Sequence, residues 1–261
     1  MIKFFRKIRQ KMLTENKISK YLIYAIGEII LVVIGILIAL QINNANENRK
    51  KREFEITILE NIQEDILADK IDCELNRQYL EQTLINEQLL LDFLLKDKEQ
   101  NLDSISFVDA LGIDVITAFH SASFNNLQNN DIGLISNNEL YKKITRFYDF
   151  YVFSLKKVEN EHVYTSTYKE KLDYFKKHFK VIDKRTTIQV GSADDAWNQE
   201  FDRYNFVIKN EENLKSDEEF KLVLAESLFI NSIVFDFYNQ LFLKMDVLNK
   251  SINLELDKLK K

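Results

Sequence analysis

Residues 21–42 are the feature that most constrains this chain. They read YLIYAIGEIILVVIGILIALQI and include one ionisable side chain, Glu28. As an α-helix this run would be about 33 Å long, enough to cross a hydrocarbon core of about 30 Å. A helix buried in a soluble core would carry a polar face, and residues 29–40 have none. The sequence therefore predicts a transmembrane helix.

A cleavable signal peptide is the other common explanation of an apolar run near an N-terminus. Signal peptides have an apolar region of roughly 7–15 residues, followed by a small-residue cleavage site. The run is longer here, and the following sequence, QINNANENRKKRE, contains no clear cleavage site. We therefore expect the helix to be retained as an anchor.

The basic flanks of the span predict its orientation. Seven lysines and arginines precede it and four follow it, and the more basic flank stays in the cytoplasm. The predicted parts are a basic cytoplasmic tail at 1–20, a transmembrane helix at 21–42 and an ectodomain at 43–261. Apolar residues recur at helical spacing in the tail, so it is either an amphipathic helix on anionic lipid headgroups or a solvated basic segment.

One face of the predicted span carries Ala25, Glu28, Gly35 and Ala39. Small residues let two helices approach closely, and Gly35-x-x-x-Ala39 has the spacing of such a packing motif. An ionisable residue within a span is a candidate functional residue, because its charge is costly to bury in lipid. Two interpretations stay open: the face packs against another membrane helix, or Glu28 is tolerated near the headgroups.

The ectodomain is acidic although the chain begins basic. Residues 1–52 contain 11 lysines and arginines and three acids, so they carry +8, whereas the whole chain carries −5; the remaining residues therefore carry −13. Proteins bind nucleic acid by neutralising phosphates with lysine and arginine. We therefore expect no nucleic acid partner.

The composition favours long helices. Proline is absent and only five glycines occur, so few residues interrupt a helix. Apolar residues at intervals of three, four and seven predict a long helix over 47–98, continuous with the span, and a last helix from 216 to the C-terminus. The last helix has a heptad stripe with Ser227 and Asn231 as polar exceptions.

Shorter patterns complete the prediction of an all-α fold. A short helix is expected at 107–119, an irregular stretch at 120–140 and an aromatic-rich helix at 137–180. Its aromatic rings are expected to pack against neighbouring helices. Capping boxes beginning at Ser136 and Ser216 would start two of the helices. Three long helices and a short one bury their apolar stripes most simply as an up-down bundle.

Residues 181–213 are harder to interpret, although the segment TTIQV could form a short strand.

The sequence offers little chemistry. His120, His162 and His178 form no metal-binding pattern, and no nucleophile elbow or phosphate-binding loop occurs. The acids at 194–195 and 211–219 fit helix starts better than catalysis, and Asp131 with His120 lies in a turn-rich segment without calcium-loop spacing. Cys73, the single cysteine, cannot form an intramolecular disulfide and is expected to be buried. No catalytic residue, cofactor or metal is predicted.

Two segments carry a family resemblance. The opening, MIKFFRKIRQKMLTENKISKYLIYAIGEIILVVIGILIALQINNANENRKK, is similar to the start of an uncharacterised bacterial membrane protein family, the domain of unknown function 6090. The central segment FNNLQNNDIGLISNNELYKKITRFYDFY resembles a second pattern of that family, in which the matching positions are Leu127, Gly133, Leu134, Ile135, Leu140, Phe147 and Tyr148. Ala45 stands where that family usually has tryptophan.

The resemblance implies a single-pass bacterial membrane protein with a helical ectodomain and brings no established activity. Combined with the basic flanks, it predicts an inner-membrane protein whose N-terminus is cytoplasmic and whose C-terminal domain is periplasmic. Our leading hypothesis is a non-enzymatic interaction or scaffold module. Its expected partners are the lipid bilayer and a second copy or another membrane protein. The alternatives are a ligand-sensing bundle that acts through a partner, and an enzyme of unfamiliar type.

Overall fold

The computed structural model describes residues 18–96, 102–129, 133–164, 167–191 and 198–261. The described chain is predominantly helical with a small two-stranded sheet, so the all-α prediction is confirmed. Residues 1–17 of the tail predicted at 1–20 lie outside the described residues.

The elements, in chain order, are α1 (Ile18–Leu95), a 3-10 turn (Leu102–Ser104), α2 (Phe107–Leu111), α3 (Ala122–Asn129), α4 (Asn138–Arg146), a π-helix (Phe147–Val152), α5 (Phe153–Tyr164), α6 (Thr167–His178), β1 (Phe179–Gly191), β2 (Asn198–Ile208), α7 (Glu211–Lys215) and α8 (Glu218–Leu259).

Helix α1 joins the predicted span to the first ectodomain helix without interruption. No proline or glycine occurs between Gly35 and Gly112, which explains why the helix is continuous. The chain forms two compact units, Met1–Phe54 and Glu55–Lys261. In the first unit, α1 has a window with a mean hydropathy of 2.6 and none of it is buried. This helix is long and apolar enough to cross a membrane.

Two hydrophobic cores hold the second unit together. The first joins α1, α3, α4, the π-helix and the C-terminal half of α8, and its buried members include Leu59, Ile62, Ile144, Tyr238 and Met245. The second joins the end of α1 to α2, α6 and the start of α8, and its buried members include Leu90, Ala110, Phe175, Phe220 and Leu224. Fully burying one of the leucine, isoleucine, phenylalanine or methionine side chains among them contributes about 1.5–3 kcal/mol.

Helix α8 runs antiparallel to α1 within this unit. Gln63 donates to Asn249 at 2.5 Å near one end, and Asn231 donates to Glu87 at 3.0 Å towards the other. The predicted heptad stripe of α8 faces this contact and is buried, including the polar exceptions Ser227 and Asn231. The up-down arrangement therefore follows from two long amphipathic helices that bury their stripes against each other.

The caps of α4 and α8 lie one residue later than predicted. Asn137 accepts from the N–H groups of Glu139 and Leu140 at 3.2 Å, and Asp217 accepts from Phe220 N–H at 3.1 Å. Ser136 instead donates its hydroxyl to Glu55 at 2.9 Å, so it is not available as a cap. Ser216 ends α7. Asn and Asp are at least as good caps as serine, which explains the shift.

Three shorter elements also differ from the predictions. Helix α2 ends at Leu111 rather than near 119, because Gly112 takes a positive φ of 72° that ends the helix. Helix α3 occupies part of the stretch predicted to be irregular. In place of the single helix predicted at 137–180, the described residues form α4, the π-helix, α5 and α6, and α6 ends at His178.

The two strands form an antiparallel hairpin. Phe179 pairs with Ile208 at one end and Gly191 with Asn198 at the other, with an irregularity between Val181 and Arg185. TTIQV lies within β1, so the predicted strand is confirmed. The connecting residues, which include the acids at 194–195, lie outside the described residues.

Candidate functional site

The predicted packing face lies on α1 in the first unit. Ala25 and Glu28 are partly exposed, and Gly35 and Ala39 are exposed. A Cβ atom built at Gly35 would meet nothing within 4 Å. Gly35 and Ala39 are therefore accessible in the single chain, and contact of this face with another membrane helix stays a prediction.

A buried polar cluster separates the two cores of the second unit. Glu87 accepts from Lys171, from Ser227 at 2.5 Å and from Asn231 at 3.0 Å. Lys171 also donates to the carbonyl of Ala110 at 2.9 Å. Burial lowers the pKa of Lys171, and the Glu87 carboxylate opposes that shift. The polar exceptions in the α8 stripe are therefore the partners of a buried carboxylate.

A second polar cluster lies beside the first and gathers around Glu159. Its carboxylate accepts from the Thr117 hydroxyl at 2.9 Å, from the Thr117 N–H at 3.2 Å and from the Tyr238 hydroxyl. Asn76 donates to Thr117 at 3.0 Å. Burial raises the pKa of Glu159 and of Tyr238.

Cys73 is buried and free, as predicted. Burial raises the pKa of its thiol, which makes it a poor nucleophile.

Little space lies between the two clusters. A cavity of about 10 Å³ is lined by Glu159, Asn231 and Asp114, and that volume suits one water molecule. The carboxylates of both clusters have hydrogen-bond donors, and the cavity beside them is too small for a substrate. Such clusters typically fix the register of packed helices.

A third cluster is less well satisfied. Asp69 accepts from the N–H of His120 at 2.8 Å and contacts its Nδ1 at 2.7 Å. The second carboxylate oxygens of Asp65 and Asp69 and the Tyr148 hydroxyl are buried without a hydrogen-bond partner in the described structure. No group of three or more metal-binding side chains occurs among the described residues. His120 was expected in a turn, and its carboxylate partner, 51 positions earlier in the sequence, could not be predicted from local pattern.

Asp69 gives a pH-dependent prediction. Burial raises its pKa from 3.8 to about 6, although hydrogen bonds from His120 oppose the shift. Its contribution to stability is therefore fully present below pH 3.8 and is lost as the pH rises through about 6. Asp69→Asn cannot titrate, so its unfolding free energy relative to wild type should increase by about 2–3 kcal/mol between pH 4 and pH 7. Chemical unfolding at several pH values measures this difference.

The exposed Asp183→Asn variant is the control for the Asp69 experiment. It removes a carboxylate at the surface, where substitutions change stability by about 0.5 kcal/mol or less. Parallel pH profiles for Asp69→Asn and wild type would contradict the raised pKa. A stability difference that falls with rising pH would contradict its sign.

An aromatic and basic groove lies on the surface between the π-helix and α8. We call it the π–α8 groove; it consists of two pockets that share Tyr151 and Lys244, one lined also by Arg146 and Val247 and the other also by Phe150 and Asp236. Lys244 Nζ lies 5.3 Å from the centre of the Tyr151 ring, a distance typical of cation–π contact. Phe150 is 55% exposed. The groove therefore presents apolar and cationic groups together, with one carboxylate, Asp236, at its side.

The π-helix explains why Phe150 faces outwards. Phe147 and Tyr148 are buried in the first core, whereas Phe150 and Phe153 are exposed. A π-helix adds a residue to a turn and so re-aims the side chains that follow; such segments are frequent at functional sites. The aromatic run was interpreted as core packing, which holds for the buried Phe147 and Tyr148 and for the partly buried Tyr141 and Tyr151, but not for Phe150 and Phe153. No spacing signal in the sequence distinguishes a π-helix from an α-helix.

The family comparison covers most of the chain. The family of unknown function DUF6090 matches residues 28–203. The chain belongs to this family. No curated protein and no solved structure matches the chain.

The DUF6090 match includes most of the apolar part of α1 and the π-helix, and it ends before α8. The predicted family resemblance is therefore confirmed. Because the family has no known function, the match assigns no chemistry to the polar clusters or to the π–α8 groove.

Proposed function

We propose that this DUF6090 protein is a non-enzymatic, single-pass membrane protein whose helical ectodomain binds other proteins, a second copy included. In this proposal the anchor spans the inner membrane of a bacterium, the N-terminus is cytoplasmic and the acidic domain is periplasmic. The role is that of an interaction or scaffold module. Nucleic acid is not a partner, because the ectodomain is acidic.

The observation that carries the proposal is the unburied apolar window of α1. In water, exposing so many large apolar side chains would be strongly unfavourable. A bilayer removes them from water without any protein partner. The basic flanks support the orientation.

The protein-binding role is supported by the π–α8 groove. Exposed aromatic rings and cations in one concave surface are typical of protein recognition sites. Arg146 and Lys244 lie on a domain that is acidic as a whole. An acidic segment with apolar side chains would therefore fit this groove.

Photocrosslinking in intact cells tests the protein-binding role. A photoreactive residue at Phe150 should form a discrete crosslink to a protein, because the ring is exposed in the groove. The same residue at Lys184, which is exposed on β1, serves as the control. Equal labelling at both positions, or none at Phe150, would contradict a binding role for the groove.

A ligand-sensing bundle is the second candidate. The two parts of the groove have volumes of about 370 and 400 Å³, within the range of small-molecule pockets. A sensor would unfold at a higher temperature when its ligand is bound. A thermal-shift screen that includes Phe150→Ala separates the candidates, since a groove ligand would stabilise the wild type and not the variant.

A further inference from the structure

The end of the β-hairpin is acidic and aromatic. We call residues 191–201 the hairpin end; they read GSADDAWNQEF and contain three acids, two aromatic residues and no basic residue. Residues 192–197 lie outside the described residues, whereas Glu200 and Phe201 are described and exposed. The hairpin end is therefore an acidic segment with apolar side chains, which is the composition that fits the π–α8 groove.

The π–α8 groove carries the opposite charge. Its two pockets are lined by three basic residues and one acid, namely Lys143, Arg146, Lys244 and Asp236. The ectodomain as a whole is acidic. A cationic groove on an acidic domain attracts an acidic segment most strongly. Charge therefore favours a segment with acids and no bases, such as the hairpin end.

The hairpin runs along the bundle from the second core towards the first. At its start, Phe179 contacts Phe220 of α8, with 6.5 Å between the ring centres. Five residues from the same end of the hairpin, Arg203 donates to the Gly112 carbonyl at 3.2 Å. A Cβ atom built at Gly112 would lie 3.6 Å from Lys171 Nζ, which belongs to the buried polar cluster between the two cores. The hairpin therefore passes this cluster on its way.

The lengths of the elements place the hairpin end and the groove at the same level of the bundle. Along β2, Ile208 and Asn198 are about 33 Å apart. Along α8, Phe220 and Lys244 are about 36 Å apart. Both lengths start at the second core and run in the same direction. A second copy that stands beside the first, with its helices parallel, therefore presents its groove at the level of the hairpin end.

Within one chain, the described part of the hairpin lies against α2 rather than against the groove. Apart from its pairing with β1, the main contact of β2 is with α2, whereas the groove lies between the π-helix and α8. Among the described residues, no hydrogen bond, ion pair or ring contact joins the hairpin to the lining of the groove. A second copy is therefore the source of the segment.

This contact keeps every copy upright. The hairpin end and the groove are different surfaces, so each copy gives one surface to its neighbour and receives the other, and an axis parallel to the helices closes the assembly. Rotation about such an axis leaves every α1 pointing in the same direction. All copies can therefore be anchored in the single membrane of the proposed function.

We infer that the π–α8 groove binds the hairpin end of a second copy, with the two bundles parallel. The aromatic side chains of the hairpin end pack on Phe150 and Tyr151, and its acids pair with Arg146 and Lys244. This inference rests on the proposed protein-binding role and names its partner.

Tryptophan fluorescence tests the contact directly, because Trp197 is the only tryptophan in the chain. In a dilution series of the full-length protein in detergent micelles, Trp197 should become accessible to acrylamide as the complex dissociates, since its ring leaves the groove for water. Phe150→Ala should raise the concentration at the midpoint by about tenfold. Phe153→Ala removes an exposed ring that does not line the pockets and should leave the midpoint unchanged.

Charge reversal tests which two surfaces meet. Arg146→Glu with Lys244→Glu makes the groove acidic, and Asp194→Lys with Asp195→Lys makes the hairpin end basic. Each double variant alone should associate about tenfold more weakly than the wild type, because its two surfaces then carry the same sign of charge. The two double variants, differently tagged and co-expressed, should copurify, because each groove then meets a hairpin end of opposite charge.

The control for the charge variants is Lys176→Glu with Lys184→Glu. Both lysines are exposed and lie outside the two surfaces, so the midpoint should not change. Circular dichroism shows whether each variant keeps its fold. Failure of two folded charge variants to copurify would overturn the inference.

Further outcomes separate this inference from the proposed function. A strictly monomeric protein, or an assembly in which Trp197 stays equally accessible to acrylamide, would reject the hairpin end as the partner. A Phe150 photocrosslink to a different protein would overturn this inference and keep the protein-binding role. Loss of every Phe150 crosslink would remove the role itself.

Discussion

Lys171→Met is expected to lower the free energy of unfolding of the ectodomain by about 3–5 kcal/mol. The ammonium group contacts Glu87 and the Ala110 carbonyl, and both charged side chains are at most 1% exposed. Methionine fills similar space but leaves the Glu87 carboxylate buried with only the neutral donors of Ser227 and Asn231. Chemical unfolding of the full-length protein in detergent measures the loss.

The matched control for Lys171→Met is Lys176→Met on the same helix. Lys176 is 65% exposed and pairs with Asp173, so its loss should change stability by about 0.5 kcal/mol or less. Adding Glu87→Gln to Lys171→Met should recover part of the lost stability, because the remaining amide carries no charge. If Lys171→Met lowers the free energy of unfolding by less than about 1 kcal/mol, the Lys171–Glu87 pair does not hold α6 against α1.

Phe220→Ala is expected to be about as damaging, with a loss of about 3–5 kcal/mol. The ring is fully buried in the second core. Its centre lies 5.5 Å from that of Tyr174 and 5.9 Å from those of Phe175 and His178. Alanine would leave a cavity where α6, β1 and α8 meet.

Phe153→Ala is the control for Phe220→Ala. It removes the same atoms from a side chain that is 62% exposed, so stability should change by about 0.5 kcal/mol or less. Phe220→Leu should retain more stability than Phe220→Ala, because it fills more of the cavity. Equal effects of alanine at 220 and 153 would contradict the second core.

Helix α8 shows how far sequence periodicity reaches. Its buried heptad stripe was predicted from the sequence, because burial of one helix face imposes a period that local sequence reveals. The reason for Ser227 and Asn231 in that stripe was not predicted. Their partner Glu87 lies about 140 positions away, and pairing across that separation depends on tertiary packing.

The π–α8 groove shows the same limit in a functional context. The aromatic residues of 147–153 were identified from sequence, but the exposed position of Phe150 depends on one π-helical segment. An inserted residue changes which side chains face the core without changing the composition. The start of α8 was also ambiguous in the sequence, because Ser216 and Asp217 are both good N-caps. The structure shows that Asp217 accepts the hydrogen bond from Phe220 N–H.

The most direct test of the central claim is alkaline carbonate extraction of cell membranes, followed by determination of the N-terminus of the retained protein. Our account predicts that the chain stays with the membranes and still contains residues 21–42, because an apolar helix of that length remains inserted when peripheral proteins are released. Release of the intact chain into the soluble fraction, or a mature protein that begins after residue 42, would contradict it.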